Sequence, residues 1–457
     1  MLPVVHIYID RSEAETWNHD EIDNLQGKIN TGEYSMSKVI IIGGGAAGMM
    51  AGVFAARNHH EVHILEKNEK LGKKVFITGK GRCNVTNACD TEELFPAMMS
   101  NPKFLYSSFY SFTPQDVMEF FEKAGVPLKV ERGNRVFPQS DHSSDIIRAL
   151  ERELKKAGAK IHLHTAVQEI VKKPITESVT DSVNTLESEA ALTESGSDAG
   201  KNRKGKKSSD IQQEKITGVI LTDGTFIEGD AVIVATGGFS YQSTGSTGDG
   251  YRFARELGLK VTDIAPSLVP LKTKEDYIPK LQGLSLKNTG LTIKNGKKVL
   301  YEDFGEMMFT HFGVTGPMIL SASAHIGAKL AKAPNGELSA YLDLKPALTK
   351  EQLDARILRE FEAGPNKQFK NVIGVLFPSS LTPVMIELGG IPAEKKIHDI
   401  SREERQHFID LIKAFPFTIT GMGEFKEAII TRGGVSVKEI NPGTMESKKI
   451  FRPLLRR

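Results

Sequence analysis

A chain of 457 residues has room for two or three domains, and its 39% apolar and 25% charged residues are those of an ordinary globular protein. A net charge of +2 excludes the basic balance of a dedicated nucleic-acid binder. Two cysteines close together in sequence, Cys83 and Cys89, exclude a disulfide framework and fit a reducing compartment.

Residues 1–36 are polar and without sustained period. They read as an N-terminal extension, expected to be disordered, or as an upstream start before Met36, ahead of a functional arm. The apolar stretch Leu2 to Ile9 lacks a basic leader and a small-residue cleavage site. The longest helical apolar run, about Ala46 to Ala56, is too short to span a bilayer, so no membrane partner and a cytoplasmic location are expected. Strand Val39–Ile42, a glycine turn, helix Ala46–Asn58 and strand Glu61–Leu65 make one βαβ unit. A helix follows at about 114–124, with Thr113 as cap and Pro114 at its first position, and another at about 144–157, stopped by Gly158.

From Thr176 to Asp210 there is no aromatic residue, and Ser, Thr, Glu, Asp, Lys and Gly dominate. Such a stretch buries too little surface to offset ordering, so 171–214 is expected to be a disordered insertion. It sits in a β-hairpin between strands Val167–Val171 and Ile216–Leu221. Its basic run Lys201–Lys207 reads as solvated linker charge ahead of an RNA contact. Strand Ala231–Val234 then leads through glycine-rich turns to short strands over about 262–345 and a mostly helical stretch over about 349–414.

The chemistry starts at Gly43-Gly44-Gly45-Ala46-Ala47-Gly48, which follows a strand, opens a helix and is answered by Glu66 at the end of the next strand. Gly43 allows the tight turn, Gly45 lets backbone N–H groups approach a pyrophosphate at the helix N-terminus, and Gly48 allows close helix–strand packing. Glu66, with Lys67 beside it, is placed for the adenosine ribose, and a carboxylate there disfavours a 2′-phosphate. This turn alone does not separate FAD from NAD. The strand ending in Ala235-Thr236-Gly237-Gly238 resembles the second signature of two-dinucleotide-fold flavoproteins, and Thr247-Gly248-Asp249 resembles a helix start of fumarate-reductase-type flavoproteins.

Further motifs are Gly79-Lys80-Gly81-Arg82-Cys83-Asn84-Val85-Thr86-Asn87, Arg135-Val136-Phe137-Pro138, Phe309 to Pro317, Ala428 to Val435 and Thr444 to Lys448. Together they resemble the BaiN-like family of bacterial NAD(P)/FAD-dependent, aminoacetone-oxidase-like flavoproteins, from about Ser37 to Lys449. The resemblance implies an FAD-dependent oxidoreductase in which reduced flavin passes hydride to an activated C=C bond of a small organic substrate. It also implies NAD(P)H as a transient donor, since only one dinucleotide fingerprint is present. Reduction of uridine in ribosomal RNA is the alternative the resemblance carries. Gly81, Arg82, Cys83, Asn84 and Thr86 are then flavin-loop candidates. Cys83 is either a proton donor whose thiolate Lys80 and Arg82 stabilise, or part of a loop that only wraps the cofactor. His311 is either a second proton donor or a turn histidine bonded to backbone. His59, His60 and His63 lack metal-ligand spacing.

The ending Ile450 to Arg457 has no strand alternation and departs from the family's closing strand and helix, so a C-terminal truncation is expected, with an inactive remnant as a third possibility. The fold expected is α/β. A three-layer FAD-binding domain is assembled from 37–170, 215–261 and 421–457, with an inserted α+β substrate domain at 262–420.

Overall fold

The computed structural model of the chain describes residues 36–174 and 214–451. The N-terminal extension, most of the insertion with its basic run, and the last six residues lie outside the described residues. The chain divides into two compact units, one formed by 1–237, 248–261 and 435–457, the other by 238–247 and 262–434.

The first unit is built on a parallel sheet. Strand β1 (Lys38–Ile42) pairs with β2 (Glu61–Leu65) on one side. After β3 (Thr86–Asn87), β4 (Leu128–Glu131) and β5 (Arg135–Pro138) comes β6 (Lys160–His162), parallel to β2. A hairpin of β7 (Val167–Pro174) and β8 (Glu214–Leu221), extended by β9 (Phe226–Glu228), precedes β10 (Ala231–Val234), which pairs with β1. The parallel order is β10-β1-β2-β6.

Successive strand side chains face opposite ways, and here both faces are covered. Val39 and Ile41 point to a cluster with Met49, Val53, Ile64 and Leu150, contributed partly by helices Ala46–Arg57 and Ser143–Lys156. Ile40 and Ile42 point the other way, to Val167, Ile170, Val219 and Phe253, from the hairpin and helix Asp249–Glu256. Helices, parallel sheet and antiparallel sheet thus form three layers. A smaller sheet, β3-β5-β4, stands beside them in the same unit. Thr113 caps helix Pro114–Lys123 through a reciprocal bond with Asp116.

The second unit contains β11 (Ala265–Ser267), β12 (Leu271–Thr273), β13 (Ser285–Asn295), β14 (Lys298–Phe309), β15 (Gly313–Thr315), β16 (Leu338–Asp343), β17 (Phe415–Met422) and β18 (Ile430–Arg432). Six of these close a barrel in the order β12-β15-β14-β13-β16-β17, while β11 pairs with β18. The expectation of short strands needs correction, because β13 and β14 are 11 and 12 residues long. Leu291, Ile293, Met307 and Phe309 alternate into one core with Leu342, Phe417 and Ile419. Helices Lys350–Glu362, Phe369–Ile373, Leu381–Gly389 and Arg402–Lys413 pack Ile357, Val384 and Phe408 against the same core. Among the described residues no helix is long and apolar enough to cross a membrane.

Candidate cofactor and active site

The glycine turn sits at the carboxyl edge of the parallel sheet. Its shape comes from backbone bonds: Gly43 N–H donates to the Leu65 carbonyl (2.9 Å), and Ala235 N–H donates to the Ile42 carbonyl (2.8 Å). A Cβ on Gly43, whose φ is +106°, would lie 2.6 Å from the Ala235 carbonyl oxygen. A Cβ on Gly48 would lie 1.9 Å from the Gly43 carbonyl oxygen. Gly45 differs: a Cβ there meets nothing within 4 Å. The helix it opens has no side-chain cap and no acidic residue in its first turn. Uncapped N–H groups beside open space are an anion-binding arrangement.

Glu66 is buried at the end of β2. Its carboxylate accepts from Gly44 N–H (2.6 Å) and from Asn68 through both backbone (2.8 Å) and side-chain amide (2.6 Å). The Glu66 N–H in turn donates to the His162 carbonyl (2.8 Å). Lys67 Nζ reaches Asp249 Oδ2 (2.6 Å) at the start of helix Asp249–Glu256, which Gly248 opens with a φ of +83°. A Cβ on Gly250, next along, would lie 2.5 Å from Thr236 Oγ1, and that hydroxyl is buried without a hydrogen-bond partner. Motifs up to 206 positions apart, Gly43 to Gly48, Glu66-Lys67, Ala235-Thr236 and Asp249, therefore meet at one edge of one sheet. Gly237 ends this run with φ +73°, and Gly238 and Thr247 belong to the second unit.

The Thr78–Cys83 loop follows helix Lys73–Ile77, and Gly72 just before that helix donates to the Gly44 carbonyl (2.9 Å). The loop bends through left-handed backbone at Gly79 (φ +58°), Lys80 (+59°), Gly81 (+86°) and Cys83 (+59°). For Lys80 and Cys83 this costs roughly 1–2 kcal/mol each. Cys83 is 1% exposed and packs with Val75, Val85 and Val136, and burial pushes its thiol up. The thiol is desolvated, and the Arg82 guanidinium is engaged by Glu131 and Asp141. The Asn84 amide, in the orientation that satisfies it, donates to the carbonyls of Thr86 (3.0 Å) and Val136 (3.2 Å), and Thr86 pairs with Val136 in the small sheet.

His311 lies between β14 and β15 in the second unit, exposed and edge-on to Phe312 at 4.9 Å between ring centroids. Helix Pro317–Leu330 begins just beyond it, after Gly316. Of the early histidines, His63 bonds His162 (3.0 Å) and Glu61 (3.0 Å), and its ring stacks parallel to that of His162. Sequence reasoning missed this pair, the Lys67–Asp249 bridge and the partners of Arg82, because nothing local joins residues so far apart.

The first unit's residues fit FAD. The open Gly45 turn presents uncapped N–H groups, the buried Glu66 carboxylate closes the end of β2 beside it, and the Thr236 hydroxyl is buried and unsatisfied. A three-layer Rossmann-type domain with this edge is a dinucleotide-binding fold, and the family it matches makes it that of a flavoprotein oxidoreductase. Residues 37–202 match the family profile "HI0933-like protein Rossmann domain", and residues 265–430 match "HI0933-like protein barrel and H2TH domain". The chain belongs to the HI0933-like family, the BaiN-like flavoproteins that its motifs resemble. It is 28% identical over 415 residues to the 3-dehydro-bile acid delta(4,6)-reductase of Clostridium scindens, covering 90% of each chain. It is 27% identical to a ribosomal RNA dihydrouridine synthase of Haemophilus influenzae over 91% of this chain and 90% of that one. The Escherichia coli enzyme of the same name is 25% identical over 90% of this chain and 88% of the relative.

A C-terminal truncation is not supported. Ile450–Phe451, expected to have no strand character, forms a short strand parallel to β8 at Glu214 and Lys215.

Proposed function

We propose that this FAD-dependent oxidoreductase reduces a carbon–carbon double bond conjugated to a carbonyl in a small organic substrate, with NAD(P)H as transient donor. The observation that carries the proposal is the convergence of Gly43 to Gly48, Glu66, Thr236 and Asp249 on one sheet edge. That edge is one dinucleotide cradle, and with FAD in it a nicotinamide donor must come and go. The substrate class is supported by the names of the relatives. One reduces a bile acid derivative at its delta(4,6) positions, and the others make dihydrouridine in ribosomal RNA. A uracil ring is itself a double bond conjugated to a carbonyl, so both names describe one kind of bond.

When bound, FAD supplies the hydride. Glu66 would hold the ribose and the helix N-terminus at Gly45 the pyrophosphate, with the loop from Gly81 to Thr86 as the candidate to wrap the flavin. Of the two proton-donor candidates, Cys83 is sealed in an apolar cluster and the His311 ring is exposed. Two free cysteines and a nicotinamide donor favour the cytoplasm.

The test uses the full chain under anaerobic conditions. NADH or NADPH should bleach the visible flavin bands, and a cyclic enone should restore them. Bleaching by neither nucleotide sinks the donor assignment. Recovery with ribosomal RNA but no enone moves the enzyme to the RNA-modifying class. His311→Ala should slow recovery with enone while leaving bleaching unchanged, and an unchanged recovery removes His311 from the mechanism.

A further inference from the structure

Arg82 is the most heavily partnered side chain near the cofactor loop, and none of its partners lies in the loop. Its Nε donates to Asp141 Oδ1 (2.7 Å), its Nη1 to Glu131 Oε2 (3.3 Å), and its Nη2 to Glu131 Oε1 and, at 2.6 Å, to Asp141 Oδ1. The guanidinium carbon lies 4.2 Å from the centre of the Phe137 ring. Lys129 holds the far oxygen of Asp141 at 2.7 Å and approaches Glu131 at 3.7 Å. All of these partners stand on β4, β5 or the turn after it. Arg82 therefore ties the loop to the small antiparallel sheet.

The loop needs such a tie. Gly79, Lys80, Gly81 and Cys83 are all left-handed, and the backbone bonds closing the turn are made by the N–H groups of Arg82 and Cys83 back to Gly79 and Thr78. Backbone of this kind persists only where its surroundings over-determine it. A planar fork between two carboxylates, stacked on an aromatic face, fixes direction as well as distance, which a lysine ammonium does not.

We propose that Arg82 is a positioning residue: locked between Glu131 and Asp141 and stacked on Phe137, it holds the left-handed Thr78–Cys83 loop in the shape presented to the flavin and is not itself a cofactor ligand. This rests on the FAD assignment above. Its consequence is that Glu131 and Asp141, which no motif marks, control cofactor binding from outside the cradle.

The test compares the full-length wild type with the Glu131→Gln/Asp141→Asn double variant, Arg82→Lys and Arg82→Ala. The readouts are amide hydrogen exchange across residues 76–87 without added FAD, FAD affinity by flavin fluorescence, and the visible spectrum of bound flavin. The double variant should exchange faster in the loop and bind FAD about tenfold more weakly, one charge-assisted hydrogen bond's worth, with displaced flavin bands. Arg82→Lys should rescue little of this. Unchanged exchange and affinity in the double variant overturn the proposal. So does a double variant that keeps FAD while Arg82→Ala loses it, because Arg82 would then touch the cofactor directly. If wild type binds no FAD, the cofactor assignment fails, while the exchange data still report on the clamp. Should the double variant not fold, Glu131→Gln and Asp141→Asn singly give the same comparison.

Discussion

Adding one methyl group to the glycine turn should have opposite consequences three residues apart. At Gly48 the new Cβ would sit 1.9 Å from the Gly43 carbonyl oxygen and 3.2 Å from Ile41 Cγ2, so helix and turn must separate by about 1.5 Å to regain ordinary contact. Overpacking of this kind costs roughly 1–3 kcal/mol, and here the upper end applies, because the obstruction is backbone. Better helix propensity returns about 1 kcal/mol, so Gly48→Ala should be destabilised by about 2 kcal/mol. At Gly45 the backbone is extended (φ −78°, ψ −174°) and the methyl enters open space. The small cost of alanine at a helix cap is offset by lost freedom in the unfolded chain, leaving stability near its starting value. The same methyl would occupy the approach of the pyrophosphate. Each backbone hydrogen bond it displaces to that charge is worth roughly 1.5–3 kcal/mol, so FAD affinity should fall by tenfold or more. Melting of the FAD-free protein and FAD titration by fluorescence separate the two effects. Gly45→Ala binding FAD like wild type, or Gly48→Ala melting like wild type, would refute the assignment of the turn.

Burial, then the charges of His63, Lys160 and Lys38, pull the His162 imidazole below its ordinary range. The unfolded ring then takes a proton more readily than the folded one. Stability from this source is complete above about pH 6.5 and is lost as pH falls. The melting temperature should drop between about pH 7 and pH 5, and His162→Gln should flatten the profile. Glu61, held down to about 2 chiefly by its bond to Lys160, gives stability that is lost mainly below its unfolded value near 4.5, beneath this window. Ser401→Ala removes the reciprocal cap with Glu404 and should cost about 1 kcal/mol in urea unfolding. Leu342→Ala empties a fully buried barrel position and should cost roughly 2–5 kcal/mol, a loss that calorimetry would resolve.

What could be read from sequence was local. A run of aliphatic residues before Gly43, an apolar helix face after it and Glu66 at the end of the next strand announce a dinucleotide turn within thirty residues. The Thr113-Pro114 start announces its own helix. The barrel was not legible, because it closes through β12 and β17, pairing Leu271 with Met422. No periodicity encodes that partnership. One signal was overlooked: Asn295-Gly296, with Gly296 at φ +56°, is hairpin chemistry and would have joined β13 to β14 as one long ribbon. Arg82 shows the other limit. Its motif suggested a flavin contact, but its carboxylate partners lie 49 and 59 positions away, and only the fold brings them together.

The β7–β8 hairpin, through two shifts of register at Val167–Glu169 and Val171–Lys172, stays paired to its tip, where Pro174 lies opposite Glu214. The two ends of the connection, Pro174 and Glu214, stand at neighbouring points of the sheet. Doubling such a connection costs only about 0.6 kcal/mol in closure entropy. The hairpin tip is therefore a natural socket. A reporter protein could be spliced in there, or the segment cut back to a tight turn, without displacing a strand or disturbing the edge at Gly43.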